Sequence, residues 1–147
     1  MATRVLVTGG AGFVGSSLAT YLAQAHSQLS VTALDNLHRR VRESTLPHLA
    51  RAGAPSVHGD IRLREDVESA GPFDLMIECS AEPSVHAGYG GDPSYLLGAN
   101  LAGTMTCLEA ARREANQDAL TQLHNRRYFD SRLAREFETA RKHGRSL

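Results

Sequence analysis

Near its amino terminus the chain reads Arg4-Val5-Leu6-Val7-Thr8-Gly9-Gly10-Ala11-Gly12-Phe13-Val14-Gly15. The apolar run that ends at Gly9 is typical of a buried parallel strand. From Phe13 to Ala25 apolar side chains recur every three or four residues, which is typical of an amphipathic helix. The pattern therefore predicts a strand, a glycine turn and a helix in immediate succession.

The glycines at positions 9, 12 and 15 each meet a physical need of such a turn. The first allows a tight bend, the second lets the backbone approach a pyrophosphate, and the third lets the helix pack closely on the strand. The free N–H groups at the start of the helix would then face the phosphates. The turn is therefore predicted to bind a diphosphate, with a plain glycine-rich turn as the alternative. The predicted contacts are Gly9, Gly12, Phe13, Val14 and Gly15.

The following segments continue the alternation of strands and helices. Strands are predicted at 29–34, 56–58 and 73–77, and helices at about 44–52, 63–69 and 94–114. Such a succession gives an α/β fold, here a partial Rossmann-type doubly wound parallel sheet of about four strands in the order 3-2-1-4, with an added C-terminal helix. The fourth strand then forms a hydrophobic edge of the sheet, which is expected to favour self-association.

An acidic residue ends the second strand, twenty residues beyond Gly15. A carboxylate at this place can accept hydrogen bonds from both ribose hydroxyls of an adenosine, and it repels a 2′-phosphate. Asp35 therefore favours NAD over NADP as cofactor, although Arg39 and Arg40 would soften that preference. A solvated carboxylate in a loop is the alternative for Asp35.

These motifs resemble those of the extended short-chain dehydrogenase/reductase family, the NAD-dependent nucleotide-sugar epimerases and dehydratases. The resemblance covers about residues 3–114, the first third of such an enzyme. It rests on the glycine turn at 8–15, on Asp-Asn-Leu at 35–37, and on His-Gly-Asp-Ile-Arg at 58–62. The segment 78–89 further resembles the branch of the family that contains CDP-paratose 2-epimerase.

The resemblance also implies roles for particular residues. Asn36 belongs to the cofactor-binding triplet at 35–37, Asp60 and Ile61 would contact adenine, and Ala81 would lie in the loop that passes the nicotinamide ribose. Asn100 matches a family asparagine that helps to position the catalytic groups. A polar helix residue held by local hydrogen bonds is the alternative for Asn100.

The catalytic pair of that family, Tyr-x-x-x-Lys with a nearby Ser or Thr, has no counterpart in these 147 residues. None of the four tyrosines is followed by lysine at the fourth position, and the single lysine, Lys142, has Glu138 four residues before it. No catalytic residue is therefore assigned. The resemblance implies the NAD-binding front part of a nucleotide-sugar epimerase/dehydratase, incomplete as a catalyst, with a nucleotide sugar as partner only if a complementary chain is present.

Composition argues against several other classes of protein. The 16 basic and 16 acidic residues give no net charge, so no attraction to nucleic acid or to an anionic membrane is expected. No apolar run approaches the roughly 20 residues of a membrane span. The histidines and the two cysteines show no metal-ligand spacing, so no metal site is predicted and a reduced, cytoplasmic location is expected.

The last part of the chain is net basic, whereas the first 116 residues are net acidic. Residues 118–129 resemble the opening turn of a GGDEF (diguanylate cyclase) domain, Asp-x-Leu-Thr-Gly-Leu-x-Asn-Arg-Arg, with Gln122 in place of the glycine. The metal-binding aspartate and the Gly-Gly-Asp/Glu-Glu-Phe loop of that family are absent. We therefore expect a truncated NAD-binding Rossmann domain over 1–115 and a truncated GGDEF-like turn and helix over 116–147.

A basic amphipathic helix is predicted from about 125 to 143, with Gly144 as its stop. Its apolar residues Phe129, Leu133 and Phe137 are expected to pack on apolar surface near the fourth strand, and an arginine-rich surface helix is the alternative. Three functions remain open: a module that holds the ADP part of NAD without catalysis, half of a split epimerase, and a non-enzymatic signalling or interaction protein.

Overall fold

Four parallel strands form one sheet in the computed structural model, which describes residues 2–39, 42–82, 93–118, 121 and 123–144. The sheet order is β3-β2-β1-β4, which confirms the predicted α/β architecture and strand order. The strands are β1 (Thr3–Thr8), β2 (Leu29–Asp35), β3 (Ser56–His58) and β4 (Leu75–Glu78). The fourth strand begins two residues later than expected, because Phe73 is buried in the core before the strand starts.

Helices connect the strands and complete the chain. They are α1 (Phe13–Ala25), α2 (Leu46–Ala52), α3 (Arg64–Ser69), α4 (Ser94–Leu97), α5 (Thr104–Asn116) and α6 (Arg126–His143). A 3₁₀ turn at Arg42–Thr45 precedes α2, and Pro47 lies in the first turn of α2, where proline is tolerated. A π-helical segment (Gly98–Gly103), here called the π segment, joins α4 to α5, so the predicted long helix contains one widened turn.

The core lies on both faces of the sheet because successive residues of β1 point in opposite directions. Val5 and Val7 pack on one face with Ala19 of α1 and Leu49 of α2. Leu6 packs on the other face with a second group of buried side chains. Its members are Leu34, Ile61, Val67, Phe73, Cys107 and Ala110. A parallel strand buried on both sides is the arrangement that the apolar run before Gly9 predicts.

The chain divides into two compact units, Met1–Ala111 and Arg112–Leu147, here called the sheet unit and the C-terminal unit. In the C-terminal unit a hydrogen-bonded turn links the end of α5 to the start of α6. The Asp118 N–H donates to the Leu123 carbonyl (2.8 Å), and the Asn125 N–H donates to the Asn116 carbonyl (2.8 Å). Asp118 Oδ1 accepts from both the N–H and the hydroxyl of Thr121, each at 2.9 Å. Gln122, where the sequence departs from the GGDEF pattern, lies outside the described residues.

The boundaries of α6 match the sequence prediction. Asn125 caps its first turn by accepting a hydrogen bond from the Tyr128 N–H at 2.9 Å, and Gly144 ends it in the left-handed conformation. None of its described residues is buried, however, and Phe129, Leu133 and Phe137 are 60, 41 and 55% exposed. The packing of this apolar side near β4 stays a prediction. Three large apolar side chains in 18 residues make a stripe narrower than a core-facing helix normally presents.

None of the described helices combines the length and the apolar content needed to cross a bilayer.

Candidate functional site

The turn between β1 and α1 leaves no room for a Cβ at three of its glycines, Gly9, Gly10 and Gly15. Gly9 has a φ of +62°, and a Cβ there would lie 2.6 Å from the carbonyl oxygen of Cys79. A Cβ at Gly15 would collide with the carbonyl oxygen of Gly9. Any larger residue would therefore push α1 away from the sheet or distort the end of β4.

The first turn of α1 is open at the surface. Gly12 precedes it in an extended conformation, and no side chain among the described residues caps the helix. Phe13 and Val14, which follow, are 90 and 62% exposed. Because the first N–H groups of a helix have no partner within it, they form the positive end of the helix dipole. An accessible, uncapped helix start after a glycine turn fits a diphosphate.

Asp35 holds the glycine turn to the end of β2. Its carboxylate is buried, with the residue only 6% exposed, so the alternative of a solvated loop carboxylate is wrong. One oxygen accepts from the Ala11 N–H at 3.1 Å, and the other accepts from the Leu37 N–H at 2.8 Å. These two bonds fix the carboxylate between the glycine turn and the residues that follow β2.

Leu37, directly after this acid, has a φ of +52°, which is uncommon for a residue with a branched side chain. Such a conformation costs about 1–2 kcal/mol and persists only where the surroundings enforce it. Here the bond from its N–H to Asp35 closes a tight turn, and the next N–H, of His38, donates to the side chain of Asn36 at 3.1 Å. No sequence pattern predicted this strained turn.

Asp60 is the centre of a hydrogen-bonded group after β3. Its carboxylate accepts from the Asn36 amide (3.0 Å), and from both the backbone and the guanidinium of Arg62 (2.7–2.9 Å). The Arg62 guanidinium, helped by Asn36, holds the pKa of Asp60 well below its usual value against the opposing effect of burial. The Asp60 N–H in turn donates to Asp66 of α3 at 2.8 Å. Asp60 is thus held in the loop after β3 through both its backbone N–H and its carboxylate.

The loops after all four strands line one pocket at the carboxyl edge of the sheet. In open parallel sheets ligands bind at this edge, outside the carboxyl ends of the strands. Six of the residues predicted from the sequence line the pocket. They are Gly9, Asp35, Asn36, Asp60, Ile61 and Ala81. The structure therefore brings together residues that are far apart in the chain.

The other predicted residues lie elsewhere or have a second role. The glycines at 12 and 15 and the first residues of α1 belong to the turn described above. Ile61 is 7% exposed and packs its side chain into the core, where a Cβ at Gly103 would collide with its tip. Ile61 therefore supports the pocket from below as well as lining it.

Asn100 lies in the π segment and holds the loop after β4. Its side-chain oxygen accepts from the Glu82 N–H at 2.7 Å, and its amide donates to the Glu82 carbonyl at 3.3 Å. The two residues are 18 positions apart, so the alternative of purely local hydrogen bonds is wrong. The widened helical turn places this side chain beside the loop, in line with the frequent use of π bulges at functional sites.

Other residues that line the pocket were not among its predicted contacts. The rings of His38 and Tyr95 stack with centroids 4.6 Å apart, and the Arg62 guanidinium lies 5.1 Å from the Tyr95 centroid. The Arg39 guanidinium forms an ion pair with Glu82. No periodicity or spacing connects positions 39 and 82, so sequence patterns carry no signal for this pair.

The two thiols and the metal-ligating side chains offer no second chemistry in the described part of the chain. Burial raises the pKa of Cys107 to about 11, and burial also raises the pKa of Cys79, so neither is an activated thiolate. Within the described segments no group of three or more His, Cys, Asp or Glu side chains could hold a metal ion.

The protein families and solved structures that this chain resembles agree with its fold and with this pocket. The chain belongs to the NAD dependent epimerase/dehydratase family, whose model matches residues 5–125. A model of the diguanylate cyclase GGDEF domain matches the short stretch 115–147. The resemblance to the epimerase/dehydratase family is therefore confirmed, whereas the GGDEF match is limited to that short stretch.

Individual relatives support the same family. The low-salt glycan biosynthesis protein Agl12 of Haloferax volcanii is 37% identical over 121 residues, which are 81% of this chain and 38% of that protein. The CDP-paratose 2-epimerase of Salmonella typhi is 31% identical over 136 residues, 86% of this chain and 38% of that protein. The chain thus spans little more than a third of the length of these relatives.

A solved structure gives the same result for the fold. The UDP-glucose-4-epimerase of Stenotrophomonas maltophila, solved with NAD and formylated UDP-arabinopyranose, is 26% identical with a TM-score of 0.66. The match covers 78% of this chain and 35% of that chain. This chain therefore shares the fold of about a third of that structure.

Proposed function

We propose that the sheet unit binds the ADP part of NAD at the carboxyl edge of the sheet. The observation that carries the proposal is the position of Asp35, whose buried carboxylate is bonded to the glycine turn and lines the pocket. An acid in this position favours a ribose with two free hydroxyls over one that carries a 2′-phosphate. The uncapped start of α1 suits the diphosphate.

Each group of site residues then has a separate task. The backbone N–H groups of Phe13 and Val14 take the diphosphate, Gly12 lets the backbone approach it, and Gly9 and Gly15 shape the turn. Asp35 and Asn36 take the adenosine ribose, and Asp60 with Ile61 forms the adenine end. Ala81 lies on the side of the nicotinamide ribose, and Asn100 fixes the loop that carries Ala81. Six of these residues, Gly9, Asp35, Asn36, Asp60, Ile61 and Ala81, line one pocket, which supports the assignment.

Bound NAD would supply a hydride acceptor, but these 147 residues contain no Tyr-x-x-x-Lys pair to move the accompanying proton. We therefore propose that this chain holds the cofactor and that catalysis needs residues from outside it.

The proposal is tested by isothermal titration of the full chain with NAD⁺ and with ADP-ribose. Both should bind with similar affinity, because the proposed contacts are all to the ADP part. Asp35→Asn should weaken both by about tenfold, because a charge-assisted acceptor for the ribose hydroxyls is lost. Asp130→Asn in α6 is the matched control and should change neither affinity. Absence of binding by NAD⁺ and ADP-ribose to the unmodified chain would reject the function.

A second candidate function is supported by the C-terminal unit. We propose a domain organisation of a cofactor-binding part over 1–115 and a GGDEF-like turn and helix over 116–147, in which the exposed side of α6 contacts another protein chain. The GGDEF match over 115–147 and the exposure of Phe129, Leu133 and Phe137 favour it. Sedimentation velocity over a range of concentrations tests whether the chain self-associates, and Phe137→Glu should abolish this association. If the chain instead associates by pairing at the edge strand β4, Ile77→Lys should abolish the association and Phe137→Glu should not.

A further inference from the structure

An ion pair joins two of the loops that line the pocket. The Arg39 guanidinium, in the loop after β2, pairs with the Glu82 carboxylate in the loop after β4. Both side chains line the same pocket as Asp35, and Arg39 follows Asp35 by only four residues. The side chain of Glu82 is 11% exposed, so this pair is shielded from water on the side of the carboxylate.

The carboxylate of this pair is held in place by its own backbone. Asn100 bonds to both the N–H and the carbonyl of Glu82, at 2.7 and 3.3 Å. The π segment, which carries Asn100, therefore fixes the stem of the Glu82 side chain. A fixed carboxylate loses less conformational entropy when it pairs with a guanidinium than a mobile one does.

We infer that Glu82 is a second determinant of the preference for NAD over NADP, because it occupies the guanidinium that would otherwise receive a 2′-phosphate. The inference rests on the proposed function and extends it. Arginine near the acid after the second strand is the residue type that accommodates a 2′-phosphate in dinucleotide-binding folds. In this chain that arginine, Arg39, is already neutralised.

The electrostatic balance favours this role for Glu82. A phosphate at the ribose would have to displace Glu82 from Arg39, since a planar guanidinium pairs with either anion through the same N–H groups. It would also face two carboxylates, those of Asp35 and Glu82, with one arginine already paired. Specificity of this kind comes from repulsion of the wrong ligand as much as from attraction of the right one.

The experiment measures NAD⁺ and NADP⁺ affinities of the full chain at low salt by isothermal titration. The variants are Glu82→Gln, Arg39→Gln and the double variant. Glu82→Gln should bind NADP⁺ about tenfold more tightly while NAD⁺ affinity changes by less than about twofold. Arg39→Gln should bring no gain for NADP⁺, and the double variant should lose the gain of Glu82→Gln. Glu136→Gln, which breaks an exposed Arg–Glu pair in α6, is the matched control.

The outcomes distinguish a failure of the role of Glu82 from a failure of NAD binding itself. Unchanged NADP⁺ affinity in Glu82→Gln, or a gain that persists in the double variant, overturns the role of the ion pair while NAD⁺ binding stands. Binding of neither dinucleotide to the unmodified chain overturns both. Thermal unfolding confirms that each variant is folded, and Glu82→Asp, which keeps the charge but shortens the side chain, should give a smaller gain in the same direction.

Discussion

The sheet unit and the C-terminal unit are stabilised in different ways. In the sheet unit, side chains from strands and helices spread over more than a hundred residues meet in a fully buried core. In the C-terminal unit, none of the described residues of the 18-residue α6 is buried. The helix is nevertheless bounded by a side-chain cap at one end and a left-handed glycine at the other. Helical structure can thus be specified locally, but a ligand site needs burial.

The magnitudes explain the difference. Burying one large aliphatic side chain contributes about 1.5–3 kcal/mol, whereas a helix cap contributes about 1 kcal/mol. The ion pairs Arg126–Asp130 and Arg132–Glu136 of α6 lie on its surface and contribute about 0.3–0.5 kcal/mol each. We therefore expect the sheet unit to depend on tertiary packing and α6 to depend on interactions within one or two helical turns.

The largest expected effect is the difference in stability loss between two leucine truncations, one in each unit. Leu6→Ala should lower the free energy of unfolding by about 3 kcal/mol, because Leu6 is 1% exposed in the central strand and its loss leaves a cavity. Leu133→Ala, at a position 41% exposed in α6, should change it by less than about 0.5 kcal/mol. Urea unfolding followed by circular dichroism measures both. A loss in Leu133→Ala as large as that in Leu6→Ala would mean that α6 is packed after all.

Removal of the cap at Asn125 tests whether α6 is stabilised by interactions at its own end. Asn125→Ala deletes the acceptor of the Tyr128 N–H and the donor to the Ala115 carbonyl, so α6 should lose about 1 kcal/mol of local stability. The expected reading is lower helical ellipticity with an unchanged unfolding midpoint of the sheet unit. Asn125→Asp keeps the capping oxygen and should retain most of the helix. Equal losses in both variants would assign the effect to the Ala115 bond instead of the cap.

The smallest expected effect concerns a surface ion pair of the sheet unit. The guanidinium and the N–H of Arg4 bond to Asp74 at 2.8–3.1 Å, and this hydrogen bonding lowers the pKa of Asp74 to about 2. A depressed carboxyl pKa stabilises the fold above the unfolded value of about 4, and this contribution is lost as pH falls towards 2. Since both side chains are largely exposed, it should stay below about 1 kcal/mol.

The measurement for this pair is the difference in unfolding free energy between the natural chain and Asp74→Asn at several pH values. The difference should be constant from pH 7 to pH 5 and should shrink towards pH 2. A difference that persists undiminished at pH 2 would show that Asp74 acts through something other than its charge.

Sequence patterns were sufficient where a few neighbouring residues decide the structure. The apolar run of β1, the glycine spacing, the alternation of strands and helices and the limits of α6 all depend on contacts within about four residues or on a known succession of elements. The order of the strands is the one that Rossmann-type doubly wound sheets adopt. The apolar side of α6 shows the limit of such patterns, because periodicity predicts an amphipathic helix but not whether a surface covers it.

The candidate site likewise contains residues that could be recognised locally and contacts that could not. The spacing of Gly9, Gly15 and Asp35 could be recognised in the linear chain, since each has a local steric or electrostatic reason. The bond between Asn36 and Asp60 joins residues 24 positions apart, and the ion pair between Arg39 and Glu82 joins residues 43 apart. Contacts of that separation leave no periodic trace in a sequence. Only folding of four strands into one sheet brings their loops together, because parallel strands place their carboxyl ends at the same edge.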